Sequence, residues 1–195
     1  MTERGFADIA VDSARVFRAI MQAMARPGLV MNASPPLTAP PPLLQTTAAV
    51  ALTLCDFQTP IWLSSGLRSG EIERYLRFHS GAPITGQIEE AQFILASADD
   101  VPSVRTLALG SHEYPDRSAT LVIQVRGFRT GDVVLSGPGV MAAASFGVEG
   151  LGASFWAAMA ENHDRFPVGV DVIFASTNAI AALPRSTAIR LREIA

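Results

Sequence analysis

The first apolar pattern of the chain has the period of an amphipathic helix. Four large apolar residues recur at positions i, i+3, i+4 and i+7: Phe17, Ile20, Met21 and Met24. We predict a helix over residues 12–26, capped by Asp12 or Ser13 and ended by Pro27-Gly28, because proline cannot continue a helix. The apolar stripe is expected to face the core, with Arg18 and Arg26 on the opposite side and alanines between them that let other backbone approach closely.

A proline-rich segment over residues 34–43, SPPLTAPPPL, follows this helix. Its five prolines favour polyproline II and exclude a central strand, which predicts a stiff connector. A ligand for a proline-recognition domain is the alternative. Further helices are predicted over residues 43–56, from Ser69 to His79 with Gly81 as the C-terminal cap, and from Ser154 onward.

Strands alternate with helices early in the chain and cluster late. Residues 61–63 form a short apolar run, and AQFILAS and SATLVIQV are apolar enough to be strands covered on both faces. Further strand candidates are LVMN, DVVL, VGVDVIFAS, AIAAL and TAIRLREI, and a short helix is expected around residues 104–109. This order predicts one α/β domain over residues 1–195, with a mixed sheet flanked by helices.

Composition indicates a surface that meets another chain. Apolar residues make up 49% and charged residues 17% of the chain, below the charge content usual for soluble domains. The net charge of -3 provides no basic footprint, so nucleic acid is not expected as the main partner.

Two residue counts exclude whole classes of chemistry. All 15 basic residues are arginine, so no internal lysine is available for a Schiff base or a Walker phosphate loop. The one cysteine, Cys55, is expected to be a buried thiol, since a single cysteine forms neither an internal disulfide nor a cysteine metal site. The N-terminus has no continuous apolar run and no stretch approaches eighteen apolar residues, which predicts a cytoplasmic protein.

The densest polar group, His112 to Ser118, precedes a buried strand. There Glu113 is a candidate acid or base and Arg117 a candidate anion clamp, while a solvated turn held by Asp116 and Arg117 explains the same residues. Asp171 stands in an apolar strand and therefore needs hydrogen bonds, for which Arg185 is the candidate partner.

The residues Gly137-Pro138-Gly139 open a formal match to the dinucleotide pattern G-x-G-x-x-A. Because proline removes an amide donor and the motif comes late in the chain, a tight structural turn is the favoured interpretation. The three histidines share no metal-ligand spacing, so no metal site is predicted.

Five motifs carry a family resemblance over nearly the whole chain: DSARVFRAIMQAMARPG, EYPDRSATL, LSGPG, FPVGVD and LPRST. Together they resemble the PhnH family of the bacterial carbon-phosphorus lyase system. The resemblance implies the fold of pyridoxal-phosphate transferases without the cofactor, and a homodimer-capable subunit that joins the G, I and J subunits. That complex uses ATP and alkyl phosphonate to form ribose 1-phosphonate 5-triphosphate, and no catalytic residue of this subunit is implied.

Three functional classes follow from these observations. The first is a subunit that works by assembly, with Arg18 and Arg26 contacting a partner subunit or, less favoured, a phosphate-bearing ligand. A phosphonate or ATP site built from Glu113, Arg117, Asp171 and Arg185 is an additional expectation. The second class is an autonomous nucleotide-binding enzyme that uses the Gly137 loop, and the third is a purely structural adaptor.

Overall fold

The computed structural model describes residues 3–33 and 36–192. Four α-helices lie in these ranges: α1 (Ile9–Ala25), α2 (Gln45–Leu54), α3 (Gly70–Ser80) and α4 (Ala153–Asp164). Nine strands accompany them: β1 (Met31–Asn32), β2 (Ile61–Leu63), β3 (Phe93–Ser97), β4 (Thr120–Gln124), β5 (Phe128–Ser136), β6 (Ala144–Val148), β7 (Asp171–Ala175), β8 (Ala179–Leu183) and β9 (Ala188–Leu191).

A mixed six-stranded sheet organises the fold. Its strand order is β1-β8-β7-β4-β3-β2, with β2, β3, β4 and β7 parallel and with β8 and β1 antiparallel to their neighbours. A second, antiparallel sheet has the order β6-β5-β9. The predicted α/β class with a mixed sheet flanked by helices is confirmed.

Each face of the large sheet supports its own apolar core. Helices α1, α2 and α3 cover one face, where they meet Leu95 and Val122, while α4 and the small sheet cover the other, where they meet Ile94 and Leu121. Successive residues of β3 and β4 thus enter opposite cores. This burial on both faces explains why these strands are continuous apolar runs, as predicted.

Helix α3 forms where the capping residues predict it. The Ser69 side chain accepts a hydrogen bond from the Ile72 amide at 3.2 Å, and acidic residues occupy the first turn. Gly81 ends the helix in the left-handed region with φ of 75°.

Helix α1 begins earlier than predicted. Asp8, not Asp12 or Ser13, is the N-cap and accepts from the Val11 amide at 3.0 Å. Asp12 is already helical, since its amide donates to the Asp8 carbonyl at 2.8 Å and its carboxylate accepts from the Asp8 amide at 3.0 Å. The helix ends before Arg26-Pro27-Gly28, as the motif predicts.

The predicted apolar stripe of α1 is only partly buried. The residues that face the core are Asp12, Val16, Ile20 and Ala23. Phe17 and Met21 are 49% and 52% exposed, and Arg18 lies on their side of the helix, not on the side opposite to them. The prediction was wrong here because Phe17 and Met21 are apolar without being core residues.

Smaller differences concern the late part of the chain. Strand β6 was not predicted, and Gly152, not Ser154, is the N-cap of α4. The expected helix near residue 104 is a single 3-10 turn, Val104–Thr106. The last residues of TAIRLREI and the first two of the proline-rich connector lie outside the described residues.

Candidate functional site

Asp171 and Arg185 lie together because β7 and β8 form an antiparallel pair. The register places Val172 opposite Leu183, so the residue that begins β7 lies beside the residues that follow β8. Asp171 Oδ1 accepts from Arg185 Nε at 3.1 Å and from the Arg185 amide at 2.8 Å, and Oδ2 accepts from Nη2 at 2.6 Å. The suggested pairing is therefore present, with bidentate geometry.

The Nη1 and Nη2 atoms of the Arg185 guanidinium also hold two neighbouring loops. Nη1 donates to the Pro115 carbonyl at 2.6 Å and to the Pro167 carbonyl at 3.5 Å, and Nη2 donates to Ser118 Oγ at 2.5 Å. The Arg185 side chain is only 14% exposed. We call this set of contacts the Arg185 clamp; because each guanidinium nitrogen already has a protein acceptor, it is suited to fixing loops and poorly suited to gripping an anion.

Glu113 and Arg117 lie exposed on the loop that the clamp holds. The Arg117 guanidinium lies 4.0 Å from the centre of the Tyr114 ring, a cation-π contact. Among the ion pairs of the described ranges, Arg117 has none with Asp116, so the expected turn is held by the clamp and by this stacking. The four loop and strand candidates thus form one internal pair, Asp171 with Arg185, and two surface side chains.

The Gly137-Pro138-Gly139 turn packs against the end of α1. Gly137 and Gly139 have φ of 116° and 80°. A Cβ on Gly139 would overlap the Ala25 carbonyl oxygen and lie 3.0 Å from Pro27 Cδ, so close approach requires glycine. The turn therefore faces the C-terminal, partially negative end of a helix, whereas phosphate groups bind at the N-terminal end. This geometry argues against a nucleotide loop and favours the structural-turn interpretation.

One segment joins this turn to the Arg185 clamp. The Gly28 amide donates to the Ala182 carbonyl at 3.3 Å, and a Cβ on Gly137 would lie 3.1 Å from the Ser186 carbonyl oxygen. Arg185 stands between these two contact points in sequence. All five sequence motifs consequently meet in one contiguous region beside the end of α1.

An exposed apolar surface lies over this region. We call it the α1 surface and define it by its exposed apolar side chains and two arginines: Phe17, Met21, Leu29 and Met141 with Arg18 and Arg26. Leu29 is 42% exposed and Met141 is fully exposed. Residues 25–29, 139–142 and 144 line a groove of about 690 Å³, and three residues of the α1 surface, Arg26, Leu29 and Met141, are among them. Phe17 and Met21 are neighbours one turn apart on α1, and exposed apolar side chains grouped in this way mark interaction sites.

Neither arginine of the α1 surface is neutralised within the part of the chain that the structure describes. The ion pairs among residues 3–33 and 36–192 involve neither Arg18 nor Arg26. Sequence reasoning identified both arginines but missed Leu29 and Met141. The available signal was their position, since each is an apolar residue next to a glycine-proline turn on the surface.

The proline-rich connector covers part of the edge formed by the carboxyl ends of the parallel strands, where α/β proteins usually bind ligands. Gln124 at the end of β4 donates to the Pro42 carbonyl at 2.9 Å and accepts from the Leu44 amide at 2.7 Å. The Thr46 hydroxyl donates to the Ser176 carbonyl beyond β7. The connector therefore closes part of this edge.

A carboxylate that sequence reasoning missed, Asp100, organises the same edge beyond β2 and β3. Partial burial raises the pKa of the Asp100 carboxyl, but hydrogen bonds from the Gly66 amide, the Ser64 and Ser65 hydroxyls and the Ser97 amide outweigh it and lower the pKa below its usual value. Asp100 is thus a structural anchor for two loops.

Residues 3–33 and 36–192 contain no group of three His, Cys, Asp or Glu side chains placed to hold a metal ion. In the same part of the chain, no helix has the length and apolar character needed to cross a bilayer.

Fold and site together define an α/β protein in which the five sequence motifs pack together beside an exposed apolar surface. The model of a protein family, described as "Bacterial phosphonate metabolism protein (PhnH)", matches residues 4–190. The chain belongs to this PhnH family.

Two relatives match over most of their length. The chain is 38% identical over 184 residues to the Rhizobium meliloti (strain 1021) protein named alpha-D-ribose 1-methylphosphonate 5-triphosphate synthase subunit PhnH, covering 93% of this chain and 92% of the relative. It is 32% identical over 179 residues to HtxG of Stutzerimonas stutzeri, whose name assigns it provisionally to the C-P lyase subunits, covering 90% and 85% respectively.

Proposed function

We propose that this chain is a subunit of the carbon-phosphorus lyase core complex and acts mainly through assembly. In this proposal it joins the G, I and J subunits and supports the ATP-dependent formation of ribose 1-phosphonate 5-triphosphate from an alkyl phosphonate. The names of both relatives, one a synthase subunit and one a C-P lyase subunit, support this proposal.

The α1 surface is the observation that carries the assembly role. Phe17 and Met21 lie within the first family motif, Leu29 follows that motif directly, and Met141 lies two residues after LSGPG. The Gly139 turn packs against the end of α1 beside them. Burying an apolar side chain of this size contributes roughly 1.5–3 kcal/mol when burial is complete. Phe17, Met21 and Leu29 are already about half buried, so a partner that covers them together with Met141 gains part of its binding free energy there.

In this proposal the catalytic steps belong to the partner subunits. Of the four polar candidates in this chain, two are paired with each other and two are separate surface side chains. Asp171 and Arg185 satisfy each other. Glu113 and Arg117 remain a proposal for binding ATP or a phosphonate, supported by the exposure of both side chains. Calorimetric titration with ATP and methylphosphonate tests it: heat that is lost in Arg117→Ala supports the site, and absence of heat removes it.

Further properties are proposed from the family resemblance. They are a single domain, the fold of pyridoxal-phosphate transferases without the cofactor, a homodimer in isolation and a cytoplasmic location. The absence of lysine from the chain supports the lack of that cofactor, because pyridoxal phosphate is held through a lysine. Comparing the strand order β1-β8-β7-β4-β3-β2 with that of a pyridoxal-phosphate transferase tests the proposed fold.

Co-expression with the cognate G, I and J subunits tests the proposal. Size-exclusion chromatography with mass determination follows, alongside the chain alone. Co-elution in one complex supports the assembly role. A chain that elutes apart from all three subunits contradicts it, and the purely structural adaptor would then need a different partner.

A further inference from the structure

The charge of the α1 surface restricts what can cover it. Arg18 and Arg26 are its charged residues, although the whole chain carries a net charge of -3. The acidic residue within α1, Asp12, is buried on the opposite side and contacts Arg15 at 3.5 Å. No carboxylate lines the described groove between residues 25–29 and 139–144. The surface is therefore apolar and locally basic on an acidic protein.

A second copy of the chain does not complement this surface. A two-fold contact places the same patch on both sides, so two copies of Arg18 and two of Arg26 would share one interface with no acid from the patch. Like charges brought together in an interface cost several kcal/mol. A homodimer of this chain is expected to use other residues.

The helix geometry places Arg18 in the middle of the exposed side. Arg18 is four residues after Ala14 and three before Met21, so the three side chains are neighbours on one face. Small alanines at positions 14 and 25 allow a partner backbone to come close to α1. An occupant must then supply apolar side chains near Met21 and Met141 and an acceptor for Arg18 within the same contact.

We propose that the α1 surface binds a segment of a different polypeptide that presents apolar side chains flanked by carboxylates. This inference rests on the proposed function, which provides the partner. It adds the location of the contact and the chemistry of the segment that the α1 surface recognises. The carboxylates neutralise Arg18 and Arg26, and the apolar side chains fill the groove beside Leu29 and Met141. Desolvated charge pairs next to an apolar anchor are typical of strong interface contacts.

Charge reversal in the purified chain tests the inference. The double variant Arg18→Glu/Arg26→Glu is compared with Arg18→Lys/Arg26→Lys, which keeps the charge, and with Arg4→Glu/Arg74→Glu. The last variant changes net charge equally, at two exposed arginines on the N-terminal segment and on α3. The measurement is the dissociation constant for the preassembled G, I and J subunits at two ionic strengths, by biolayer interferometry.

The expected result is a loss of affinity on the order of tenfold or more for Arg18→Glu/Arg26→Glu alone, with a weaker salt dependence than in the wild type. The lysine variant and the Arg4/Arg74 variant should stay close to wild type. Equal weakening in both glutamate variants, or wild-type affinity in Arg18→Glu/Arg26→Glu, would overturn the inference and leave the proposed function standing. Failure of the wild type to bind the three subunits would remove both.

Self-association provides the second measurement. Sedimentation equilibrium of the isolated chain should give the same dimerisation constant for the wild type and Arg18→Glu/Arg26→Glu. A marked change in that constant would identify the α1 surface as a contact between copies and would overturn the assignment to a different polypeptide.

Discussion

Replacing Arg185 by methionine should destabilise the fold without removing a ligand. The change removes the bidentate ion pair with Asp171. The Asp171 carboxylate, 25% exposed, then lacks its cation, and the Pro115 carbonyl and the Ser118 hydroxyl lose a hydrogen-bond donor. Breaking a fully buried pair costs about 3–5 kcal/mol. Because the two side chains are 14% and 25% exposed, solvent screening reduces the expected loss to about 2–4 kcal/mol.

Urea unfolding followed by circular dichroism measures this loss, and a thermal melt should show a midpoint lower by about 6–12 °C for a loss near 3 kcal/mol. The matched control is Arg105→Met, which removes an ion pair of similar length, 2.5 Å to Glu161, whose side chains are 67% and 48% exposed. That variant should melt at the wild-type temperature.

A double-mutant cycle with Asp171→Asn separates the pair from the other contacts. The double variant should lose less stability than the two single variants added together, because each single change leaves one unpaired charge. Wild-type stability in Arg185→Met, combined with the loss of ATP or methylphosphonate binding, would refute the clamp and show that Arg185 serves a ligand.

Three further predictions follow from individual residues. Gly139→Ala should lower the free energy of unfolding by about 2–4 kcal/mol, because the backbone is left-handed there and the added Cβ overlaps the Ala25 carbonyl. Gly86→Ala is the control, since its Cβ would meet nothing within 4 Å, and it should remain close to wild type in the same urea assay. Equal losses in the two variants would contradict the packing role of Gly139. Because the pKa of Asp100 is lowered in the folded state, its contribution to the free energy of unfolding is complete above the unfolded-state pKa and is lost as pH falls through the folded-state pKa. The difference in unfolding free energy between wild type and Asp100→Asn should therefore be constant above about pH 5 and shrink below about pH 4. A difference that does not change with pH would contradict this role of Asp100. Burial raises the pKa of the Cys55 thiol, so Ellman's reagent should label it only when denaturant unfolds the chain, and rapid labelling of the native protein would contradict this burial.

Local signals predicted the elements whose boundaries depend on caps and turns. Ser69, Gly81 and the Pro27-Gly28 stop each act through the backbone of neighbouring residues, so their effects are readable from the sequence. The two apolar strands, β3 and β4, were equally clear because burial on both faces removes the need for alternation.

Tertiary packing explains where the structure differs from the predictions made from the sequence. The α1 helix buries Val16 and Ala23 and leaves Phe17 outside, and apolar character alone cannot decide between two adjacent stripes when both contain apolar residues. Strand β6 contains Gly147 and small residues, so its strand propensity is weak and its pairing with β5 determines its structure.

The sequence identified most residues of the candidate site but did not predict how they contact one another. Reading the stretches before and after Asn178 as a hairpin would have placed Asp171 beside Arg185, because the register of a short hairpin is nearly fixed. The contact between Gly139 and the end of α1 joins distant parts of the chain, and no local pattern encodes it.

The most direct test of the assembly role is native mass spectrometry of the chain co-expressed with the cognate G, I and J subunits. We predict that the wild-type chain is present in one complex with the other three subunits and stays in that complex through size-exclusion chromatography. A chain recovered only by itself, while the other three subunits assemble without it, would contradict the assembly role.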